Sequence, residues 1–188
     1  LRPDAGNLAA YLLQLRQRQR PYYDRIVTTI RQAAPFFDDF DLRPLKSDPN
    51  SVLLNWRDRD SDHLFGPDQL SDGTIRLMGL VTLLAQPEDD LPGFIVLDEP
   101  EIGMHPYAME IVAGLIRSAS VQSQILVATQ SASLVNHFEP SEIITVTRSN
   151  AQSHFARLDA RELDAWLKDY SVGELWEKNV IGGGVPVR

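Results

Sequence analysis

A chain of 188 residues with 43% hydrophobic and 23% charged residues has the length and composition of a folded globular protein, not of a disordered one. A formal charge of −8 argues against general binding to phosphate backbones, and the lack of cysteine excludes disulfides, zinc-thiolate sites and thiol nucleophiles. No run reaches the roughly 18 consecutive apolar residues that a membrane span needs.

Leu8, Tyr11, Leu12 and Leu15 recur at helical spacing, and Pro21 closes that segment. Pro21 suits the first turn of a second helix, with Ile26, Val27, Ile30 and Ala33 on its inner face. The whole stretch from Leu1 to about residue 50 is expected to be helical up to the loop "RPLKSDPN". "SVLLNWRD" predicts a strand, and "RDSDHLFGPDQ" a polar loop. From Ser71 the pattern turns helical through Ile75, Met78, Val81 and Leu84, until "QPEDDLPG" breaks it. "FIVL" and "QILVAT" predict two buried strands, joined by a helix that starts at Pro106 and turns Ile111, Val112, Leu115 and Ile116 inward. A short helix capped by Ser131 follows, then a third strand "EIITVT" and a fourth, "SHFARL", paired with it. "DARELDAWLKDY" predicts a helix capped by Asp159, and the tail starts helical and ends in flexible glycines. From Phe94 onward, strand and helix alternate. That predicts an α/β fold, a parallel sheet flanked by helices, with an N-terminal helical segment beside it.

Two stretches carry chemistry. In "GFIVLDEPEIGMHP" an apolar strand ends on Asp98 and Glu99. Ligands of open parallel sheets sit outside the carboxyl ends of the strands, and Gln130 leaves the next strand at that same edge. Asp98 suits magnesium, which prefers carboxylate oxygens, and Glu99 can accept a hydrogen bond from an attacking water. Pro100 biases Glu99 towards extended backbone. Gln130 can orient the water or sense a terminal phosphate, and positioning of this kind is most of what phosphoryl transfer requires. A strand ending in two acids can also be no more than a solvated loop or a helix cap. The second stretch is "QLSDGTIRLMGL". Ser71 is a natural N-cap, Gly73 admits a close backbone approach, and Thr74 adds a hydroxyl at a helix start that favours anions. Asp72 opposes a phosphate there. Alone, this segment is simply a capped helix; its place some two dozen residues before the carboxylate strand gives it weight.

In that order the two stretches look like the second half of an ABC-type ATPase. "LSDGT" resembles the signature motif usually written LSGGQ, and "FIVLDEP" resembles a Walker B strand. "EIGMHP" takes the place of the D-loop, and "ILVATQS" ends where a switch histidine normally stands. The strings "DEPEIGMHP" and "ATQS", and the ending "YSVGELWEKNVIGGG", resemble the RecF/SMC-like group of AAA-type ATPases. The likeness is firm from about Gly66 to Thr147 and looser on both flanks.

The resemblance implies the C-terminal half of a P-loop NTPase. It implies one domain with a helical segment at 1–50, an ATPase core at 51–158, and C-terminal helices with a flexible tail at 159–188. It implies ATP and Mg2+ as ligands, Asp98 as the metal carboxylate, and Glu99 and Gln130 as the catalytic pair. Ser71, Asp72, Gly73 and Thr74 would reach the terminal phosphate of a nucleotide held by a second copy in a head-to-tail, ATP-dependent homodimer. Three departures stand out. Gln130 replaces the histidine, Asp72 replaces a glycine, and no G-x-x-x-x-G-K-[ST] loop is present, since Lys46-Ser47 follows "DLRPL". The phosphate loop is therefore expected on an upstream half of the same protein, and this segment alone is expected to be nearly inactive. A cytoplasmic location is the matching expectation, compatible with the absence of cysteine. Two alternatives stay open: a metal-dependent, nuclease-linked ATPase of the overcoming-lysogenization-defect type, and a non-catalytic scaffold. His105 could meet a partner subunit or cap the helix after it, and "LRQRQR" could touch DNA or be a solvated helix end. Trp56, Trp166 and Trp176 are expected to be packing residues.

Overall fold

Apolar residues three and four positions apart line one side of α1 (Leu8–Arg18), and the computed structural model, which describes residues 1–48 and 51–183, buries all four of them. The next helix, α2 (Arg20–Ala33), carries Pro21 in its first turn and buries Ile26, Val27 and Ile30, while Ala33 is half-buried. Arginines of the "LRQRQR" run are engaged within the chain: Arg16 donates to the Leu42 carbonyl at 2.8 Å, and Arg20 pairs with Asp24 at 2.7 Å. Tyr23 is fully buried, and its hydroxyl donates to Asp39 at 2.6 Å. Burial first, and the neighbouring carboxylate second, push this phenol well above its ordinary value.

The N-terminal segment is not helical throughout. Phe37–Asp41 is a strand, β1, paired antiparallel with β2 (Asn55–Asp58), which pairs in turn with β3 (Leu64–Phe65). A register irregularity between Phe37 and Asp39 sends Phe37 and Phe40 to the core together. That bulge removes the two-residue alternation by which a strand is recognised in sequence. The strand expected over Ser51–Asp58 is confined to its last four residues, although Val52 bridges Pro44. The expected loop at 59–69 contains β3 and a single 3-10 turn, Pro67–Gln69, and the end of the loop "RPLKSDPN", at 49–50, lies outside the described residues. Trp56 stacks on Phe65 at 4.7 Å and donates its indole N–H to the Gly66 carbonyl at 3.0 Å. Beside it, Asp41 is buried with Arg57 at 2.8 Å and Arg43 at 2.6 Å. The hydrogen bond from Arg57, reinforced by Arg43, holds the Asp41 carboxyl below its usual range.

The third helix, α3 (Asp72–Ala85), buries Leu77, Met78, Val81 and Leu84 and stops at Gln86, ahead of Pro87. Then come β4 (Phe94–Asp98), α4 (Pro106–Ala119) and β5 (Gln124–Ala128), a strand-helix-strand unit whose strands are parallel and in register from Phe94↔Gln124 to Asp98↔Ala128. The inner stripe of α4 is Ala108, Met109, Val112, Ala113 and Ile116; Ile111 and Leu115, expected on it, are only half-buried. Helices α2, α3 and α4 pack against one another. The two strands are not buried on both faces as expected. Ile95 and Leu97 are buried, but Phe94, Val96 and Leu126 are 53%, 57% and 50% exposed. These three share a face with Asp98, because registered neighbours in a parallel pair point the same way. Only two strands form this sheet among the described residues, so its second face has no cover.

Those elements, through Ala128, form one compact unit, and a second begins at Thr129. In the second, Ser131 caps α5 (Ala132–Val135) as expected. The third parallel strand is not found. β6 (Ile144–Ser149) pairs only with β7 (Gln152–Arg157) among the described residues, in an antiparallel hairpin. A two-residue turn favours that local pairing over a crossover. Asp159 does cap a helix, but α6 (Ala160–Leu163) is one turn long, and Trp166 beyond it is 47% exposed rather than packed. Ser171 and Glu174 form a capping box at the start of α7 (Val172–Glu177). Of the glycines expected in the tail, Gly182 and Gly183 are in left-handed backbone, and residues 184–188 lie outside the described residues. Among the described residues no helix is long and apolar enough to cross a membrane.

Two stability measurements follow. The pKa of Asp41 is depressed in the folded state, so its contribution is present above the unfolded value of about 4 and is lost as pH falls through the folded one. Asp41→Asn should therefore destabilise the protein at pH 7 and flatten the acid limb of urea-derived stability measured from pH 6 to pH 2. The turn between β6 and β7 holds Asn150 at φ 51° and Ala151 at φ 62°. Alanine pays a steric cost there that glycine does not, so Ala151→Gly should raise stability by about 0.5–1 kcal/mol in urea unfolding.

Candidate active site

Asp98 is the last residue of β4 and lies exposed at the carboxyl end of the parallel pair, opposite Ala128. The backbone ladder continues one residue further, with the Glu99 N–H donating to the Ala128 carbonyl at 2.8 Å. The chain then turns sharply, through Ile102 N–H to the Glu99 carbonyl at 3.3 Å and Met104 N–H to the Glu101 carbonyl at 3.0 Å. Glu99 is not extended as Pro100 suggests. Its φ is +42°, in the left-handed region. Satisfying the last ladder bond and reversing immediately outweighs the proline preference, at a steric cost of about 1–2 kcal/mol. Strain of this kind gathers at sites where one side chain must be aimed. The Glu99 side chain is half-buried and Pro100 is buried.

The second constellation is the start of α3. Ser71 is exposed and in extended backbone, its Oγ accepting from the Thr74 N–H at 3.2 Å and lying 2.8 Å from the Thr74 hydroxyl. Asp72 is exposed in the first turn and Thr74 half-buried. The N–H groups of Asp72 and Gly73 precede the first intrahelical bond, the part of a helix that attracts anions. Gly73 is buried for a different reason than ligand approach. A β-carbon there would overlap the carbonyl oxygen of Gly103, and one on Gly103 would sit 3.1 Å from the Gly73 Cα. Gly103 itself has φ +77°. His105 caps α4, with its Nδ1 accepting from the Tyr107 N–H at 3.3 Å.

Six of the expected residues thus lie on two segments of the first unit that touch. The turn that leaves Asp98 and Glu99 rests by its backbone on the helix start that carries Ser71, Gly73 and Thr74, and exposed Asp72 belongs to the same turn of helix. A groove of about 500 Å³ runs beside the contact, walled by Pro35, Phe36, Leu77, Met104 and Tyr107. Gln130 is exposed and stands two residues beyond Ala128, at the opening of the second unit. Sequence reasoning does not find Gly103. Its only signal is a lone glycine between Glu101 and Pro106, which marks a turn but not the element that the turn touches.

Among the described residues no group of three or more acidic or histidine side chains converges to hold a metal by itself. Asp98 alone fits a different demand, since magnesium in phosphate sites takes one or two carboxylates and fills its other positions with phosphate oxygens and water.

A family profile described as "AAA domain, putative AbiEii toxin, Type IV TA system" matches residues 7–136, more than half of the chain. No protein of curated function matches the sequence. Among solved structures, one from work on ATP-driven dimerization and DNA-stimulated activation of SMC ATPases is similar at 16% identity and a TM-score of 0.58, covering 85% of this chain and 98% of that one. The Smc head domain of Pyrococcus furiosus, with an extended coiled coil and bound to the C-terminal domain of ScpA, is similar at 17% identity and a TM-score of 0.62. That match covers 84% of this chain and 39% of the other. The Smc head domain of Pyrococcus yayanosii gives 18% identity and a TM-score of 0.60, over 80% of this chain and 29% of that one. This chain thus spans nearly all of the first and well under half of the two Pyrococcus chains. At these identities the likeness is one of fold.

The cap at Ser71 can be measured directly. Ser71→Ala should cost about 1 kcal/mol in urea unfolding, whereas Ser71→Asp, which also caps, should stay close to the parent. Equal stability of the parent and the alanine variant would show that the cap does not hold this helix start.

Proposed function

We propose, for a chain that belongs to the AAA domain family and has the fold of an SMC-like P-loop ATPase head, that it is the C-terminal part of an ATP hydrolase. In this reading the nucleotide is shared between two copies in a head-to-tail homodimer, and the phosphate loop lies on an upstream half of the same protein. One observation carries the proposal: the turn that follows Asp98 and Glu99 meets a capped helix start backbone to backbone, at Gly103 and Gly73, in one compact unit. The uncovered apolar face of Phe94, Val96 and Leu126 supports the upstream half as partner, because an exposed apolar patch that leads to a polar site marks a surface to be covered.

Each residue then has a task. Asp98 would hold a magnesium ion, which when bound supplies positive charge against the phosphates. Glu99, with its backbone fixed by the Ala128 carbonyl, accepts a hydrogen bond from the attacking water and aims it. Gln130, by its place in the sequence, is the proposed amide for orienting water. Ser71 and Thr74 present hydroxyls, and Gly73 its N–H, to the terminal phosphate of the nucleotide held by the second copy. Asp72 tempers that attraction and so favours release once the phosphate has been cleaved. A cytoplasmic place of action belongs to this reading.

The test uses the full chain and this segment side by side. The full chain should hydrolyse ATP with magnesium while the segment alone does not. Glu99→Gln should lower turnover about 100-fold or more and leave an ATP-bound dimer visible by size-exclusion chromatography with light scattering. Turnover at the parent rate in that variant sinks the assignment of Glu99.

A further inference from the structure

The functional reading leaves the C-terminal stretch "YSVGELWEKNVIGGG" without a task, yet its helix is built against the segment that follows Gln130. Both lie in the second compact unit. Gln130 stands between Thr129 and Ser131, and the Ser131 N–H donates to the Thr129 hydroxyl oxygen at 2.9 Å, so a side-chain turn spans it. Ser131 is also the cap of α5. Its Oγ accepts from the Leu134 N–H at 3.2 Å, and its carbonyl from the Val135 N–H at 3.0 Å. The backbone of Gln130 is therefore held from behind by α5. That helix has only four residues, too few to persist alone, because a single turn fixes more dihedral angles than its hydrogen bonds offset. Its stability has to come from packing, and α7 supplies it. Leu134 of α5 and Val172 and Leu175 of α7 are buried, and the two helices pack together. At Gly173 the approach leaves no room for a side chain: a β-carbon there would lie 2.5 Å from the Ala132 carbonyl oxygen and 2.8 Å from the Asn136 Oδ1. Gly173 is the second residue of α7, so its N–H has no partner within the helix, and it donates to Asn136 Oδ1 at 2.7 Å. The Ala132 carbonyl meanwhile accepts from the Asn136 N–H at 3.1 Å. One glycine thus meets both ends of α5, the carbonyl of its first residue and the side chain of its C-cap.

We propose, resting on the functional reading above, that Gly173 and Asn136 are positioning residues for Gln130: docking of the C-terminal helix on α5 holds the turn that presents the Gln130 amide to water. Without that contact α5 frays from its C-cap, Ser131 loses the helix it caps, and the turn over Gln130 loosens with it. Neither Gly173 nor Asn136 touches a reacting atom. In the same reading Asp98, the Ser71–Thr74 helix start and the upstream half hold the nucleotide. Loosening α5 therefore acts on turnover and spares nucleotide affinity.

The experiment uses the full chain with magnesium and ATP. Gly173→Ala puts a methyl against the Ala132 carbonyl, and Asn136→Ala removes the acceptor of the Gly173 N–H. Asn136→Asp keeps an oxygen at that place, where a carboxylate is favoured by the start of α7. Gly173→Ala and Asn136→Ala should each lower kcat about tenfold or more with KM for ATP within about twofold of the parent, and Asn136→Asp should stay within about threefold of the parent kcat. In single-turnover measurements on the Gln130→Ala background, neither alanine substitution should produce a further fall, because its effect has no other route. If Gly173→Ala does not unfold cooperatively, the Asn136 pair decides. A parent-like kcat in folded Asn136→Ala overturns the proposal, as does Asn136→Asp no faster than Asn136→Ala. So does an equal fall in both backgrounds, which would mean a general loss of structure. If Gln130→Ala itself turns over at the parent rate, the assignment of Gln130 fails and this proposal fails with it. A slow Gln130→Ala beside a parent-like Asn136→Ala removes the proposal alone.

Discussion

A carbonyl oxygen standing where a side chain would begin is the constraint on which the arrangement of the first unit depends. Gly73 is the third residue of a helix start that would otherwise accept almost any side chain, and Gly103 is the apex of a turn with the same apparent freedom. Their contact seats the turn that follows β4 on the start of α3. The cap at Ser71, the ladder bond of Glu99 and the cap at His105 each stabilise one side of that contact. None of them would bring the two segments into contact if the two backbones could not approach.

The second feature that organises the molecule is a parallel pair with one finished face and one unfinished. Ile95 and Leu97 are packed away, while Phe94, Val96 and Leu126 are open to solvent on the side that also carries Asp98. A sheet face of this kind costs free energy in water until something covers it. The same geometry that leaves the face open puts the Asp98 carboxylate at its rim.

Much of this was legible in residue order. Leu8, Tyr11, Leu12 and Leu15 specify a helix face by spacing alone, and the Ser71 and Pro106 helix starts follow from side-chain hydrogen bonding and from the fixed φ of proline. The two parallel strands follow from short apolar runs between breakers. Where the pattern failed, a local exception was responsible. A bulge hid the strand at Phe37–Asp41, a two-residue turn paired β6 with β7 instead of a parallel neighbour, and a ladder bond drew Glu99 out of the extended backbone that Pro100 favours.

By itself the sequence determined the kinds of chemistry available: two carboxylates after an apolar strand, a serine-capped helix start, and no thiol. Those are properties of residue type and near spacing, and local physics decides them. Tertiary structure alone decided that the helix start and the carboxylate turn touch, that one sheet face is left bare, and that Gly103, unremarked within its own stretch, is the point of contact. Such facts depend on contacts between segments some thirty residues apart, where burial and steric exclusion act on the folded chain and leave no period or motif in its order.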